Sequence, residues 1–228
     1  MTAPSVSVVI AVRDTERYLG EAISSILAQT RPVDEIVVVD DGSTDNSVAI
    51  ARSFGEPVTV LERPPRGPGA ARNDGLAAAS GQLVALCDAD DLWLPHRIER
   101  QLGLVDDVSV AVAVFCGVDE FVSPELAEHE VGVRAPQTGL RQVRLSSALL
   151  ATRSVFDLTG PFSTAHEVSD WAEWSIRMTS AISHIRHHPD VLVHRRLHDR
   201  NLSRQLRPPA ALSTALAAHL RRRRTASS

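Results

Sequence analysis

The 228-residue chain is long enough for one globular domain with a small appended part, and 43% hydrophobic and 23% charged residues are ordinary for such a domain. Cys87 and Cys116 are too few for a disulfide framework and lie in apolar runs, so we expect buried free thiols. No apolar run is long enough for a bilayer, and residues 1–4 show no leader pattern, so we expect a cytoplasmic protein without a signal peptide.

The formal net charge of −4 hides an asymmetry along the chain. Residues 1–180 carry 14 Arg against 26 Asp and Glu residues, whereas residues 181–228 carry 10 Arg against 2 Asp residues. An acidic front part repels phosphate backbones, which argues against nucleic acid as the partner. Its clustered carboxylates instead indicate a bound cation, and the basic C-terminal part suits phosphate groups or an anionic surface.

Strand and helix patterns alternate in the first half of the chain. Apolar runs rich in β-branched residues predict strands over residues 5–12, 35–39, 58–61, 83–87 and 111–115. Helical spacing of apolar residues, together with turn and proline signals, predicts helices over residues 17–28, 47–54, 69–79 and 95–105. This alternation predicts right-handed βαβ units and a parallel sheet.

The second half is less regular. Its predicted elements are loops over residues 119–140, an undecided strand or helix over 145–152, a helix over 170–180, a short strand over 191–194 and a terminal helix over 210–220. The terminal helix ends in four consecutive arginines, 221–224, and a polar tail.

Charged residues follow three predicted strands at their C-terminal ends, where open α/β sheets bind ligands. They are Arg13 and Asp14, then Asp40 and Asp41, then the acidic run 88–91. Because residues two apart in an extended segment point the same way, Asp88 and Asp90 can converge on one cation. Mg²⁺ or Mn²⁺ would relieve the repulsion between the two carboxylates and also bind substrate phosphates. A solvated acidic turn is the alternative interpretation.

Four other motifs each have a structural and a functional interpretation. Residues 40–45 (DDGSTD) suit a tight turn with a helix cap, but their acids can also accept hydrogen bonds from a base or ribose. Residues 67–75 (GPGAARNDG) are neither a Walker loop nor a G-x-G-x-x-G fingerprint. Arg72 within them is either an exposed helix residue or a guanidinium that binds phosphate through paired hydrogen bonds.

Asp170 stands beside two tryptophans, and taken alone it is best interpreted as a helix cap. Residues 194–203 are either a solvated loop or a basic segment for a diphosphate or metal.

In their order along the chain, these motifs resemble those of family 2 glycosyltransferases with the GT-A fold, over about residues 5–205. The matching segments are 7–14 (SVVIAVRD), 18–31 (YLGEAISSILAQTR), 37–45 (VVVDDGSTD), 69–75 (GAARNDG), 86–95 (LCDADDLWLP), 147–162 (SALLATRSVFDLTGPF) and 196–203 (RLHDRNLS). Asp170 stands where the family's Glu-Asp pair has its Asp. Each motif is weak alone, whereas the ordered set is specific.

The chain departs from the family pattern at several positions. Ala11 stands where Pro is usual, Arg13 where an aromatic residue often meets the base, and Ser169 where the family has an acid. The loop over residues 119–140 is also short. The last two departures concern acceptor recognition more than donor binding.

The resemblance implies an α/β protein with the Rossmann-like GT-A fold, in which helices flank a mostly parallel central sheet and a smaller irregular lobe lies on the acceptor side. It implies one domain over residues 1–205, with nucleotide-sugar binding in 1–115 and the acceptor and catalytic base in 116–205. Residues 206–228 would then be a basic helix and tail, either solvated or in contact with the anionic inner face of a membrane.

Transferred position by position, the resemblance also implies roles for single residues. The implied donor-binding residues are Ala11, Arg13, Asp40, Asp41, Arg72, Asp88 and Ala89. Asp90 would ligate Mn²⁺ or Mg²⁺, with His198 supporting the metal or the leaving diphosphate. Asp170 would be the general base that deprotonates the acceptor.

The implied activity is metal-dependent transfer of a hexosyl group from a nucleotide-diphosphate sugar, most commonly a UDP-sugar in this family, with inversion. The acceptor stays open between a glycan, a lipid-linked sugar, a peptide and a small molecule. One alternative is a nucleotidyltransferase, which would usually need a Lys- or Arg-rich loop after the first strand, and this chain has no lysine. The other is a non-catalytic nucleotide-sugar-binding module, against which Asp170 and His198 count.

Overall fold

A computed structural model describes residues 3–127, 136–140, 143–165, 170–199 and 201 of the protein. The strands are β1 (Val6–Val12), β2 (Glu35–Asp40), β3 (Val58–Glu62), β4 (Leu83–Asp88), β5 (Leu92–Trp93), β6 (Val112–Val122), β7 (Leu150–Thr152) and β8 (His184–Leu197). The α-helices are α1 (Leu19–Leu27), α2 (Ser47–Ser53), α3 (Pro68–Ala78), α4 (Arg97–Leu102), α5 (Pro124–Ala127), α6 (Arg153–Thr159) and α7 (Asp170–Ala181). A 3₁₀ turn covers Ser146–Ala148.

The described strands form one mixed sheet in the order β3-β2-β1-β4-β7-β6-β8-β5. β1 pairs in parallel with β2 and β4, and β2 pairs in parallel with β3. β7 runs antiparallel between β4 and β6, whereas β8 is parallel to β6 and carries β5 antiparallel at the edge. The predicted α/β architecture with a mostly parallel sheet is therefore confirmed, and the strands of both predicted halves belong to the same sheet.

The central strands are buried because elements pack on both faces of the sheet, which is why they read as continuous apolar runs. Six of the seven residues of β1 are buried, and so are five of the six residues of both β2 and β4. Helix α1 turns its apolar stripe inward through Leu19, Ala22, Ile23 and Ile26. Cys87 and Cys116 are free and buried, as predicted.

Helix α3 approaches the sheet closely because its packing face carries glycine and alanine. Gly69, Ala70, Ala71 and Gly75 are its buried residues. A side chain at Gly75 would collide with Val9 and come within 3.2 Å of Val39. The close approach places the first turn of α3 beside the ends of β1 and β2.

Two strands are longer than the sequence predicts. The fifth predicted strand ends at residue 115, but β6 continues to Val122, and the short strand predicted over 191–194 is part of the 14-residue β8. β6 and β8 pair in parallel, with register shifts near Gly117. The His and Arg residues of 184–197 therefore lie within β8, a strand in which buried and exposed residues do not alternate regularly. The undecided segment 145–152 divides into the 3₁₀ turn and β7.

Ser169 and the predicted terminal helix over 210–220, with the arginine run after it, lie outside the described residues. Among the helices that are described, none combines the length and the apolar character needed to cross a bilayer.

Replacing Gly75 by alanine should lower the free energy of unfolding by about 1–3 kcal/mol, because the new methyl group overpacks the contact with Val9 and Val39. Gly20→Ala in α1 is the matched control. Its added carbon would lie 3.7 Å from Ile50, an ordinary contact, so the helix propensity of alanine should raise stability by about 0.5–1 kcal/mol. Denaturant unfolding measures both changes, and equal stability of the two variants would contradict this packing.

Candidate active site

A cavity of about 820 Å³ opens where β1, β2 and β4 end. Parallel strands have their carboxyl ends on one edge of the sheet, so the charged residues that follow them meet there. The described part of the cavity lining carries eight carboxylates and four guanidinium groups. This excess of negative charge favours a cation, or an anion that brings a cation with it.

The acidic run after β4 is a turn, because the amide of Asp91 donates to the carbonyl of Asp88 over 3.2 Å. The sequence-based expectation of an extended segment over Asp88–Asp90 is therefore wrong. Both residues nevertheless line the cavity, where each has its own partners.

Asp88 is held from two sides. The hydroxyl of Ser146 donates to its two carboxylate oxygens over 3.0 and 2.9 Å. On the other side, Nη2 of Arg72 lies 3.2 Å from Oδ1. The 3₁₀ turn before β7 and the second turn of α3 thus fix this carboxylate between them.

Asp90 meets residues from beyond the end of β8. Its Oδ2 lies 2.8 Å from Nε2 of His198 and accepts a 3.0 Å hydrogen bond from Nδ2 of Asn201. Asn201 also accepts a hydrogen bond from the amide of His198, which orients the two residues together. The imidazole packs against Tyr18, with 4.6 Å between ring centroids.

Arg196 connects the acidic turn to α1 and β6. Its guanidinium lies between the rings of Tyr18 and Phe121, 4.9 and 4.8 Å from their centroids, and Nε donates to the carbonyl of Asp90 over 3.1 Å. Its amide donates to Asp91, which is buried. Burial, followed by the charges of Asp90 and Asp88, raises the pKa of Asp91 well above its ordinary value.

Asp170 is the first residue of α7 and is only 4% exposed. Its carboxylate accepts a hydrogen bond from Nη1 of Arg72, the same guanidinium that reaches Asp88. Burial alone would lower the pKa of Arg72, but the charges of Asp170 and Asp88 outweigh it, so the pKa is raised. The buried Arg72 thus bridges a carboxylate at the end of β4 and one on α7.

The start of α7 lies close to α3 for two reasons. Asn73 holds Phe162 through two hydrogen bonds, donating to its carbonyl over 3.0 Å and accepting from its amide over 2.8 Å. A side chain at Gly69 would collide with the carbonyl of Ser163 and lie 3.2 Å from Cβ of Asp170. The glycine and the asparagine of the GAARNDG motif therefore bring Asp170 to the cavity.

Two acids at the end of β2, Asp40 and Asp41, mainly stabilise the loops around them. Asp40 accepts hydrogen bonds from the amides of Gly42 and Ser43, and it is not among the described residues that line the cavity. Asp41 lines the cavity, but its carboxylate accepts hydrogen bonds from the amides of Arg66 and Gly67 over 2.7 and 2.9 Å. The turn interpretation thus accounts for Asp40, whereas Asp41 binds the loop before α3 and the predicted side-chain cap at Ser43 or Thr44 is not formed, since α2 begins after Asn46.

Comparison with known proteins identifies the family. The model of glycosyl transferase family 2 matches residues 7–157, which is more than half of the chain. The chain belongs to glycosyltransferase family 2.

Curated relatives match a shorter segment. An uncharacterised glycosyltransferase of Nostoc sp. is 46% identical over 99 residues, which are 42% of this chain and 31% of that protein. The succinoglycan biosynthesis protein ExoO of Rhizobium meliloti is 38% identical over 114 residues, 49% of this chain and 32% of that protein. The matched part of the chain thus spans about a third of each of these two relatives.

Two solved structures share the fold of this chain. S. aureus TarS 1–349, in complex with UDP-GlcNAc, has a TM-score of 0.74 and 17% identity, covering 94% of this chain and 65% of that one. The mannosyltransferase PcManGT from Pyrobaculum calidifontis, in complex with GDP-Man and Mn²⁺, has a TM-score of 0.66 and 21% identity, covering 100% and 77%. At these identities the likeness is one of fold, and the predicted GT-A fold is confirmed.

The family pattern implies a divalent cation, and the side chains at Asp90 fit one. Mn²⁺ accepts carboxylate oxygen and imidazole nitrogen, and Asp90 and His198 place these two groups 2.8 Å apart. No closed group of three His, Cys, Asp or Glu ligands exists among the described residues. An open donor set of this kind suits a cation that takes its other ligands from substrate phosphates and water.

The structure places most of the predicted site residues of this family 2 chain around one cavity. Those that line it are Ala11, Arg13, Asp41, Arg72, Asp88, Ala89, Asp90, Asp170 and His198. Arg13 is half exposed, with Nη1 3.8 Å from Asp41. Ser146, Tyr18 and Trp171 also line the cavity, although no sequence pattern predicts a role for them. Ser146 directly precedes the segment 147–162 that resembles the family, and only this position in the sequence could have indicated that it belongs to the site.

Arg196→Met should lower the free energy of unfolding by about 1–3 kcal/mol. The substitution removes a buried guanidinium that packs against two aromatic rings and donates to the carbonyl of Asp90. Arg52→Met is the matched control, since Arg52 pairs with Glu62 at the surface and both are more than half exposed. The control should shift stability by less than about 0.5 kcal/mol. Chemical denaturation measures the free energy of unfolding of both variants. An equal loss of stability in both would contradict the stabilising role of Arg196.

Proposed function

We propose that this chain transfers a glycosyl group from a nucleotide-diphosphate sugar to an acceptor hydroxyl. One observation carries the proposal. The paired Asp90 and His198, the acid Asp88 and the buried Arg72–Asp170 pair gather around a single cavity at the C-terminal edge of the sheet. Family membership and the named nucleotide-sugar complexes of the structural neighbours support it.

The donor would occupy the side of the cavity formed by the ends of β1, β2 and β4. Ala11, Arg13 and Asp41 line this side and would meet the nucleoside, with uridine as the first candidate. Asp88 is partly exposed there and would accept hydrogen bonds from the ribose. A hexosyl group on the diphosphate would then point towards Asp170 and Trp171 on the opposite wall.

Asp90 and His198 would hold Mn²⁺ or Mg²⁺. The cation would supply positive charge that neutralises the leaving diphosphate. The surrounding charges support this assignment, because the cavity lining has twice as many carboxylates as guanidinium groups and would otherwise repel a diphosphate.

Asp170 would act as the general base. It is a buried carboxylate on the first residue of α7, and it lines the same cavity as Asp90 and His198. An acceptor hydroxyl is a weak nucleophile until a base takes its proton, and one carboxylate opposite the leaving group suffices for displacement with inversion. The acceptor proton passes to Asp170 as the new glycosidic bond forms and the sugar–phosphate bond breaks.

A screen of UDP-, GDP- and dTDP-sugars with Mn²⁺ should show release of one nucleoside diphosphate, and a chelator should abolish it. Asp90→Asn and His198→Gln should each lower turnover by about 100-fold or more, because each removes a residue proposed to hold the cation. Release that persists unchanged in chelator would remove the metal from the proposal. Pyrophosphate release from a nucleoside triphosphate and a sugar phosphate would instead favour a nucleotidyltransferase.

Asp170→Asn should lower the transfer rate by at least about 10²- to 10⁴-fold, the range lost when a general base is removed. Nucleotide binding should persist, because Asp170 lies on the acceptor side of the cavity. Asp157→Asn on the exposed face of α6 is the matched control and should retain wild-type activity. Near-wild-type turnover by Asp170→Asn, measured as product formed from a radiolabelled donor, would exclude it as the base.

A further inference from the structure

A single guanidinium holds the proposed base and also belongs to the donor side of the cavity. Arg72 donates to Asp170 through Nη1 and to Asp88 through Nη2. Its side chain is 13% exposed, and that of Asp170 is 5% exposed. The oxygen Oδ2 of Asp170 accepts this charge-assisted hydrogen bond, so an acceptor hydroxyl can reach that oxygen only after the guanidinium leaves it. In this arrangement Asp170 is not ready to deprotonate an acceptor.

The backbone of Arg72 cannot easily move to relieve the pair. Gly69 and Gly75 set α3 against Ser163 and the central strands, and Asn73 holds Phe162 with two hydrogen bonds. The guanidinium, in contrast, lies at the end of a long side chain that lines the cavity. A change of partner therefore has to come from the side chain.

The other cavity guanidiniums are less suited to meet a buried anion. Arg13 and Arg17 are 52% and 64% exposed, so water screens them, whereas Arg195 already forms a 3.0 Å ion pair with the buried Glu120. Arg72 is the least exposed of the four guanidiniums in the described lining. A guanidinium is always protonated in proteins, so Arg72 keeps its positive charge while it exchanges partners.

We propose that Arg72 couples the two substrates: the donor diphosphate takes the guanidinium from Asp170, and the base becomes available only in the donor-bound enzyme. The inference rests on the proposed function and goes beyond it by predicting that donor binding precedes deprotonation of the acceptor. In the reaction that follows, Asp170 takes the acceptor proton, the acceptor oxygen bonds to the sugar carbon, and the electron pair of the broken bond leaves with the diphosphate. Without donor, the pair keeps the base inactive.

The inference makes a prediction about binding that a simple base role does not make. If Asp170 competes with the diphosphate for Arg72, then removing the charge of Asp170 should tighten nucleotide binding. We expect Asp170→Asn to bind UDP or GDP at least about fivefold more tightly than the wild type, at fixed saturating Mn²⁺, by calorimetry. Asp157→Asn should leave the same dissociation constants unchanged.

The same measurement in an Arg72→Met background separates competition from simple charge repulsion. There, Asp170→Asn should no longer tighten binding, because the contested guanidinium is gone. Arg72→Gln serves the same purpose if the methionine variant does not fold. Unchanged affinity of Asp170→Asn, or equal tightening with and without Arg72, would overturn the inference while leaving the proposed function intact. A wild-type protein that binds neither UDP nor GDP would overturn the proposed function and this inference with it.

Discussion

The structure depends on how negative charge is balanced at one edge of a parallel sheet. β2 and β4 end in acids there, β1 is followed by Arg13 and Asp14, and the cavity has more carboxylates than guanidinium groups. Carboxylates held together at low exposure repel each other unless positive groups lie between them. Arg72 lies between Asp88 and Asp170, and His198 lies against Asp90. The remaining negative charge is what makes the cavity suitable for a cation and a diphosphate together.

Residues distant in the chain are held at this edge by contacts of three different kinds. The close approach of α3 at Gly69 and Gly75 positions Arg72 and brings Asp170 to the cavity. The rings of Tyr18 and Phe121 hold Arg196, which in turn holds the turn after β4. Small residues, aromatic rings and backbone hydrogen bonds therefore support the charged groups, since charged groups alone would not fix their own geometry.

The proposed chemistry divides the cavity into a donor side and an acceptor side. All five residues line the cavity; in this proposal Asp88, Asp90 and His198 would meet the donor, and Asp170 and Trp171 would meet the acceptor. Arg72 touches both sides through its two terminal nitrogens. A guanidinium suits this role because its planar fork can serve two carboxylates at once, which an ammonium group cannot do with the same geometry.

The sequence by itself determined the parallel strands, the helices between them and the family, because apolar runs and ordered motifs are local features of the chain. Through the family resemblance of its ordered motifs, it also pointed to nine residues that line one cavity, and the acids among them that follow parallel strands share an edge of the sheet. Only the tertiary structure decided their partners. The turn at Asp88–Ala89–Asp90 and the hydrogen bonds of Asp40 are local, whereas the length of β8 and the Arg72–Asp170 pair, whose residues are 98 positions apart, come from contacts between distant segments. Such contacts leave no periodic pattern in the sequence, because they depend on side chains that meet only after the sheet has formed.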